Sequence, residues 1–359
     1  MRRLVLSLSL TISVAAVLAQ TQPRSTPSPR SPTPSPTGID SLDPTDLEKA
    51  VALIQQKYVN PAAVSGPELT RATLAGLLER LDDDAELLPA RGAAATPAPP
   101  PFYREIIEGH IGYLRPGELN RGQLQELDTT LRGFAGKKVD AVVLDLRGCA
   151  EATDYATAAE FANRFVPKGD PLFDLRGPSA TPGREFVSQD DPTYSGVIVV
   201  LIDHDTAGGA EALAAVLRHH KAILIGSKTV GRAVEFADLP LPSGKVLRLA
   251  VAQVVLPAGE PQLKDGVSPD LAVVLPRAEK NAIFQQSLSK GMEQFVFEPD
   301  RPHLNEAALL AGTNPEIEPG ARQRRATGEK PPPHDSVLQR AIDVVTSIAV
   351  YEQQPAKSP

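Results

Sequence analysis

Four apolar, β-branched runs punctuate the middle of the chain: Ile111 to Leu114, Val139 to Leu146, Val197 to Ile202 and Ala222 to Ile225. Between them, apolar residues fall at helical spacing at about Gly122 to Phe134, Thr153 to Phe165 and Gly208 to His219. Strands that are apolar at every position leave no face for water, so this alternation predicts an α/β core whose sheet is buried on both sides. Strand-like segments follow at Lys245 to Leu256 and Leu271 to Leu275, set off by turn signals at Ser243-Gly244 and Lys264-Asp265-Gly266. Upstream, Leu47, Val51, Ile54 and Tyr58 repeat at helical spacing, and after Pro67 so do Leu69, Leu74, Leu77, Leu78 and Leu81, which predicts two short helices. Beyond a Pro-rich stretch, Val337, Leu338, Ala341, Val345 and Ile348 share one face of an amphipathic helix over about Asp335 to Tyr351.

The N-terminal pattern is of another kind. Arg2 and Arg3 precede an apolar stretch from Leu4 to Leu18, so residues 1–19 read as a secretory signal. The stretch is shorter than the roughly 20 residues a membrane span needs, which predicts cleavage after Ala19 and a periplasmic or secreted protein. Residues 20–43 read as a disordered spacer, because a run of Pro, Ser, Thr and Arg cannot bury apolar surface. The rest divides into an N-terminal helical segment (44–90), the α/β core (102–276) and a C-terminal extension with its amphipathic helix (277–359), an Ala/Pro-rich connector joining the first two.

Composition narrows the chemistry. A chain of 359 residues with formal net charge −7 carries no nucleic-acid signature. Cys149 is the one cysteine, which excludes an internal disulfide framework and a thiolate metal site. The six histidines are scattered except for His219 and His220, whose side chains would point about 100° apart on a helix, so no metal and no cofactor is expected.

Seven short strings, in order, resemble the carboxy-terminal processing (tail-specific) serine peptidases. They are Tyr58-Val59-Asn60-Pro61 with the leucine-rich helix ending at Leu81-Asp82; Ile111-Gly112-Tyr113-Leu114-Arg115; Val143-Leu144-Asp145-Leu146-Arg147; and Thr206-Ala207-Gly208-Gly209-Ala210-Glu211-Ala212-Leu213. The others are Ile225-Gly226 followed by Thr229-Val230-Gly231-Arg232; Leu256-Pro257-Ala258-Gly259; and Asp265-Gly266-Val267-Ser268-Pro269-Asp270. The resemblance implies a ClpP/crotonase-like layered core of sheet and helices. It also implies a PDZ module between the leucine-rich helix and the Gly-Tyr strand, where this chain has only Asp83 to Gly109, too short to hold one.

The family's chemistry, as the resemblance implies it, is a serine hydroxyl activated by a lysine that burial keeps neutral, with backbone N–H groups receiving the oxyanion. Here the nucleophile position falls on Gly208, which has no side chain. The base position falls on Arg232, whose guanidinium stays protonated and cannot accept a proton from a hydroxyl. The glutamine that orients the lysine is replaced by Phe236, and the glycine pair after the Asp-Leu-Arg strand by Gly148-Cys149-Ala150-Glu151-Ala152, whose Glu151 would repel an oxyanion. The reading that follows is an exported pseudoenzyme that binds or scaffolds unstructured peptide or protein segments.

Other readings attach to particular residues. Thr206 is the one hydroxyl of the elbow and could be served by Lys228 or Lys221, against a role capping the helix that starts near Gly208. Asp203-His204-Asp205 reads as a polar loop at a strand end, His219 and His220 as a helix C-terminal turn complementing the dipole, and Cys149 as a small core filler or a reactive thiol. Gly208 and Gly209, opening a helix near Arg232, would suit an anion or a peptide C-terminus. The alternative for the whole chain is an active serine-type endopeptidase using another nucleophile and base. A crotonase-like hydratase or thioesterase is a third, disfavoured by export.

Overall fold

A computed structural model describes residues 42–89, 99–137, 139–151, 153–178, 183–257, 263–296 and 333–353. The signal segment, nearly all of the spacer, Ala152 and the Ala258-Gly259 string lie outside them.

Two compact units meet at Leu77 and Leu78. The first holds helix α1 (Pro44–Lys57), a 3-10 turn at Pro61–Val64 and most of α2 (Gly66–Leu81). Asp43 starts α1 by accepting the Asp46 N–H at 2.9 Å, and Pro44 takes the first helical position, where no N–H is needed. No residue of either helix is buried, so the apolar stripe of Leu47, Val51 and Ile54 is an open face.

From Leu78 the chain runs through strands β1 (Ala85–Leu88), β2 (Tyr103–Ile107) and β3 (Ile111–Arg115), helix α3 (Arg121–Gly136), β4 (Ala141–Asp145) and α4 (Tyr155–Ala162). It continues with β5 (Pro171–Arg176), β6 (Arg184–Val187), β7 (Val197–Ile202), α5 (Gly208–His219), β8 (Ile223–Gly226), β9 (Val234–Pro240), β10 (Val246–Val255) and β11 (Leu271–Ala272). Helices α6 (Arg277–Lys290) and α7 (Ser336–Gln353) complete the described elements.

One sheet has the order β11-β8-β7-β4-β3-β2, parallel except for the β2–β3 hairpin. Alternation along its strands sends Leu114, Val142, Leu144, Val200, Ile202 and Leu224 into a core with α3, α4 and α5. Their neighbours Ile111, Tyr113, Val143, Val199, Leu201 and Ile225 enter a second core with α6 and α7. The result is the layered α/β architecture implied by the continuous apolar runs, with helices on both faces of a mostly parallel sheet.

The other sheet is antiparallel, and of its strands the apolar pattern marks only β10. This long strand pairs with β1, β9 and β5, and β6 adds to β5. Strands β6 and β9 are half-exposed while β5 buries Leu172, Phe173 and Leu175, and charged residues pair within the sheet. Arg248 lies opposite Asp238 and bonds its carboxylate at 2.9 and 3.2 Å, and Arg184 of β6 bonds Glu235 of β9. Helix α4 is also shorter than its apolar spacing suggests. Asp154 accepts the N–H groups of Ala156 and Thr157 at 3.1 and 3.3 Å, which sets the start of the helix there.

Candidate active site

The parallel strands end toward one set of loops, the usual place for chemistry in such a sheet. The β7–α5 loop carries Asp203 to Ala207, the β4–α4 loop carries Gly148 to Glu151, and the segment after β8 carries Thr229 to Arg232 before the chain passes into the second sheet at β9. Gly208, the first residue of α5, has φ +57°, a left-handed conformation that glycine adopts without strain and a side chain resists. Its N–H donates to the Arg232 carbonyl at 3.2 Å, so the two positions aligned with nucleophile and base are in direct backbone contact.

Glu211 holds them there. It is fully buried in the first turn of α5, and its carboxylate accepts the Thr229 hydroxyl and the N–H groups of Gly231 at 2.8 Å and Arg232 at 2.7 Å. Thr229 in turn accepts the Val267 N–H at 2.7 Å. Gly231 is confined to glycine: φ is +85° and a Cβ would lie 2.3 Å from the Lys264 carbonyl oxygen. Burial raises the Glu211 carboxyl above its usual range, against the pull of those donors. The folded state therefore binds this proton more tightly than the unfolded chain. The contribution is complete below the ordinary carboxyl pKa and is lost as pH rises through the raised one. Urea midpoints measured from acid to neutral pH should show this loss in the native chain and not in Glu211→Gln. Glu211→Ala, which strands three donors, should lower stability by about 2–3 kcal/mol at neutral pH.

The residues that stand at the altered positions meet one another. The Arg232 guanidinium pairs with Glu151 at 3.2 Å and lies 5.8 Å from the centre of the Phe236 ring, while its Nε is buried without an acceptor among the described residues. Glu151, read from the sequence as a repellent for an oxyanion, is here the counter-ion of Arg232. Arg232 is thus already engaged by an acid of its own chain, which weakens the reading of Gly208, Gly209 and Arg232 as an anion cradle. Gly209 is buried in the first turn of α5.

Thr206 does not cap α5. Ala207 is the capping residue and offers no side-chain bond. The Thr206 hydroxyl is fully buried, accepts the Asp203 N–H at 3.1 Å and donates to the Leu146 carbonyl at 3.4 Å, closing the loop back on β4. Lys221 and Lys228 are exposed, and among the described residues no lysine amine hydrogen bonds a hydroxyl. Cys149 is buried, and burial first, with Glu118 adding, pushes its thiol up to about 12, the opposite of an activated thiolate. His219 ends α5 and His220 caps it, but burial lowers the pKa of His220, so it sits toward its neutral form and adds little charge to the helix end.

Two buried ionic clusters were not foreseen from the sequence. Lys280 of α6 is 2% exposed and donates to Asp203, to Asp205 at 2.8 Å and to the Arg147 carbonyl at 2.8 Å. Asp203-His204-Asp205 is accordingly a docking loop for α6, with Arg277 also 3.0 Å from Asp205. Arg147, fully buried, bridges Asp145 of β4 and Asp335 ahead of α7 with bonds of 2.7 to 3.0 Å, and Tyr113 donates to Asp145 at 2.7 Å. Burial alone would raise the Asp145 carboxyl, but Arg147 and Tyr113 hold it below its usual range. Among the described residues no group of His, Cys, Asp and Glu side chains could hold a metal ion, and no helix is long and apolar enough to cross a membrane.

The segment that builds both the parallel sheet and these loops has known relatives: residues 110–273 match the profile of Peptidase family S41. The chain is 30% identical over 181 residues to the carboxy-terminal-processing protease of Bartonella bacilliformis, covering 48% of this chain and 41% of that one. It is 26% identical over 184 residues to the chloroplastic carboxyl-terminal-processing peptidase 1 of Arabidopsis thaliana, covering 49% and 37%. The chain therefore spans about two fifths of the length of these relatives. Among solved structures, the photosystem II D1 C-terminal processing protease superposes with a TM-score of 0.44 at 21% identity, over 60% of this chain and 52% of that one. Within the matched segment lie Gly208, Glu211, Arg232, Phe236 and Glu151, and the bonds of Glu211 bind two of its strings, Thr206 to Leu213 and Thr229 to Arg232, into one unit.

Proposed function

We propose that this chain is a catalytically inactive homologue of the carboxy-terminal processing peptidases, exported by its N-terminal segment, that binds or scaffolds extended peptide or protein segments. The observation that carries the reading is the meeting of Gly208 and Arg232 in one loop cluster with Glu151 paired to the guanidinium. Where the family's chemistry needs a hydroxyl beside an amine able to lose its charge, this cluster offers a hydrogen atom and a permanent cation. Glycine at a left-handed φ also releases the strain that a serine would store at this strand-to-helix turn. The export reading rests on Met1 to Ala19 and belongs to the sequence alone.

Immobilised full chain should retain an unfolded polypeptide such as reduced, alkylated casein. Arg232→Glu places a second acid beside Glu151 and should abolish retention if the altered groove is the binding surface. Equal retention by the native chain and by Arg232→Glu would move binding away from this groove.

A further inference from the structure

Arg115 is the last residue of β3, 6% exposed, and unlike Arg147 it has no carboxylate within ion-pair distance among the described residues. Its acceptors are neutral: the Ser287 hydroxyl at 3.0 Å, the Tyr113 hydroxyl at 3.4 Å and the Met292 sulfur at 3.5 Å. A guanidinium has five N–H donors and these bonds use three, so two are left without an acceptor among the described residues. The group lies over two rings, 4.1 Å from the centre of Phe284 and 4.7 Å from that of Tyr103.

This residue lines a cavity of about 280 Å³ between α6 and the C-terminal ends of β3 and β4. One stripe of α6, comprising Asn281, Phe284, Gln285 and Leu288, forms a wall, and Gly148 lets Phe284 approach so closely that a Cβ there would lie 2.8 Å from its ring. The space equals roughly nine water molecules and falls just short of the ~300–1,000 Å³ of small-molecule pockets. It joins one cation with spare donors, an aromatic and aliphatic lining, and two side-chain amides. A single fixed guanidinium matches a carboxylate, whose two oxygens take parallel N–H bonds, better than a phosphate dianion, which calls for more positive charge.

We infer that the Arg115 cavity binds a monocarboxylate carried on a compact apolar group, whether a free acylated amino acid or the last residue of a peptide. The site does not depend on the state of the Gly208–Arg232 cluster, and its test involves no hydrolysis. The probes are N-acetyl-L-leucine, a tetrapeptide ending in leucine, and the C-terminal amides of both, titrated calorimetrically into the full chain. The acids should bind saturably and each amide at least about tenfold more weakly, the loss of one charge-assisted contact. Binding of the tetrapeptide well above that of N-acetyl-L-leucine identifies a peptide end as the ligand, and equal binding identifies a small acid. Arg115→Lys should weaken the acids and spare the amides. Because Arg115 also packs the core, Leu288→Glu provides the second variant: Leu288 is 58% exposed, so an acid there leaves the fold intact and should repel the carboxylate about tenfold. Absence of saturation by about 10 mM, amides equal to acids, or binding unmoved by Leu288→Glu overturns the assignment.

Discussion

Replacing Asp335 with alanine should cost about 3–5 kcal/mol of folding stability, the range for removing one partner of a buried ion pair. Asp335 is fully buried, and both of its carboxylate oxygens receive Arg147 donors, at 3.0 and 2.8 Å. One of the same oxygens accepts the Leu338 N–H at 2.9 Å and so caps α7. Alanine removes the cap and leaves Arg147 with Asp145 alone, at a point where α7 seals the second face of the parallel sheet through Val337, Leu338, Ala341, Ile342 and Val345. Asp335→Asn keeps an oxygen for the cap and for one Arg147 donor but loses the charge and turns the other acceptor into a donor facing Arg147, so it should fall between the native chain and alanine. Guanidinium unfolding of the three proteins checks the order. A loss under about 1 kcal/mol in Asp335→Ala would mean that α7 docks on its apolar face alone.

Lys280→Ala should cost less, about 2–3 kcal/mol. The amine is as buried as Asp335, but its partners Asp203 and Asp205 are 17% and 28% exposed and can turn partly to water once it is gone. Asp205 also keeps Arg277. The converse change should be worse: Asp203→Ala/Asp205→Ala leaves a buried ammonium with only the Arg147 carbonyl, and desolvation then opposes its charge. Denaturant midpoints for the two variants, compared at one pH, give the ordering. Equal losses would contradict this ordering.

The parallel sheet was legible because its strands are apolar throughout, a pattern few other elements produce. Its hidden half was not, and the reasons differ by element. Helix α6 buries Ile283 between Lys280 and Ser287, so its inner face is mostly polar and shows no apolar stripe. The second sheet hides for a related cause: β6 and β9 are half-exposed, and their charged residues find cross-strand partners that no periodicity records. At the candidate site the aligned strings located Gly208, Glu151, Arg232 and Phe236. The string also contains Glu211, yet nothing local shows that its carboxylate reaches 20 residues ahead to bind Gly231. Thr206 misled for the opposite reason. A hydroxyl two residues before a helix resembles a cap, and only the folded loop reveals that its partners are Asp203 and Leu146.

Hydrolysis of an unstructured polypeptide by the purified full chain is the most direct measurement, run beside Thr206→Ala and beside Gly208→Ser/Arg232→Lys. The native chain should release no fragments above the buffer control, and Thr206→Ala should be indistinguishable from it, since the Thr206 hydroxyl is buried on Leu146. Robust turnover by the native chain that disappears in Thr206→Ala would contradict this directly, by showing that a hydroxyl and a base do meet at the end of β7.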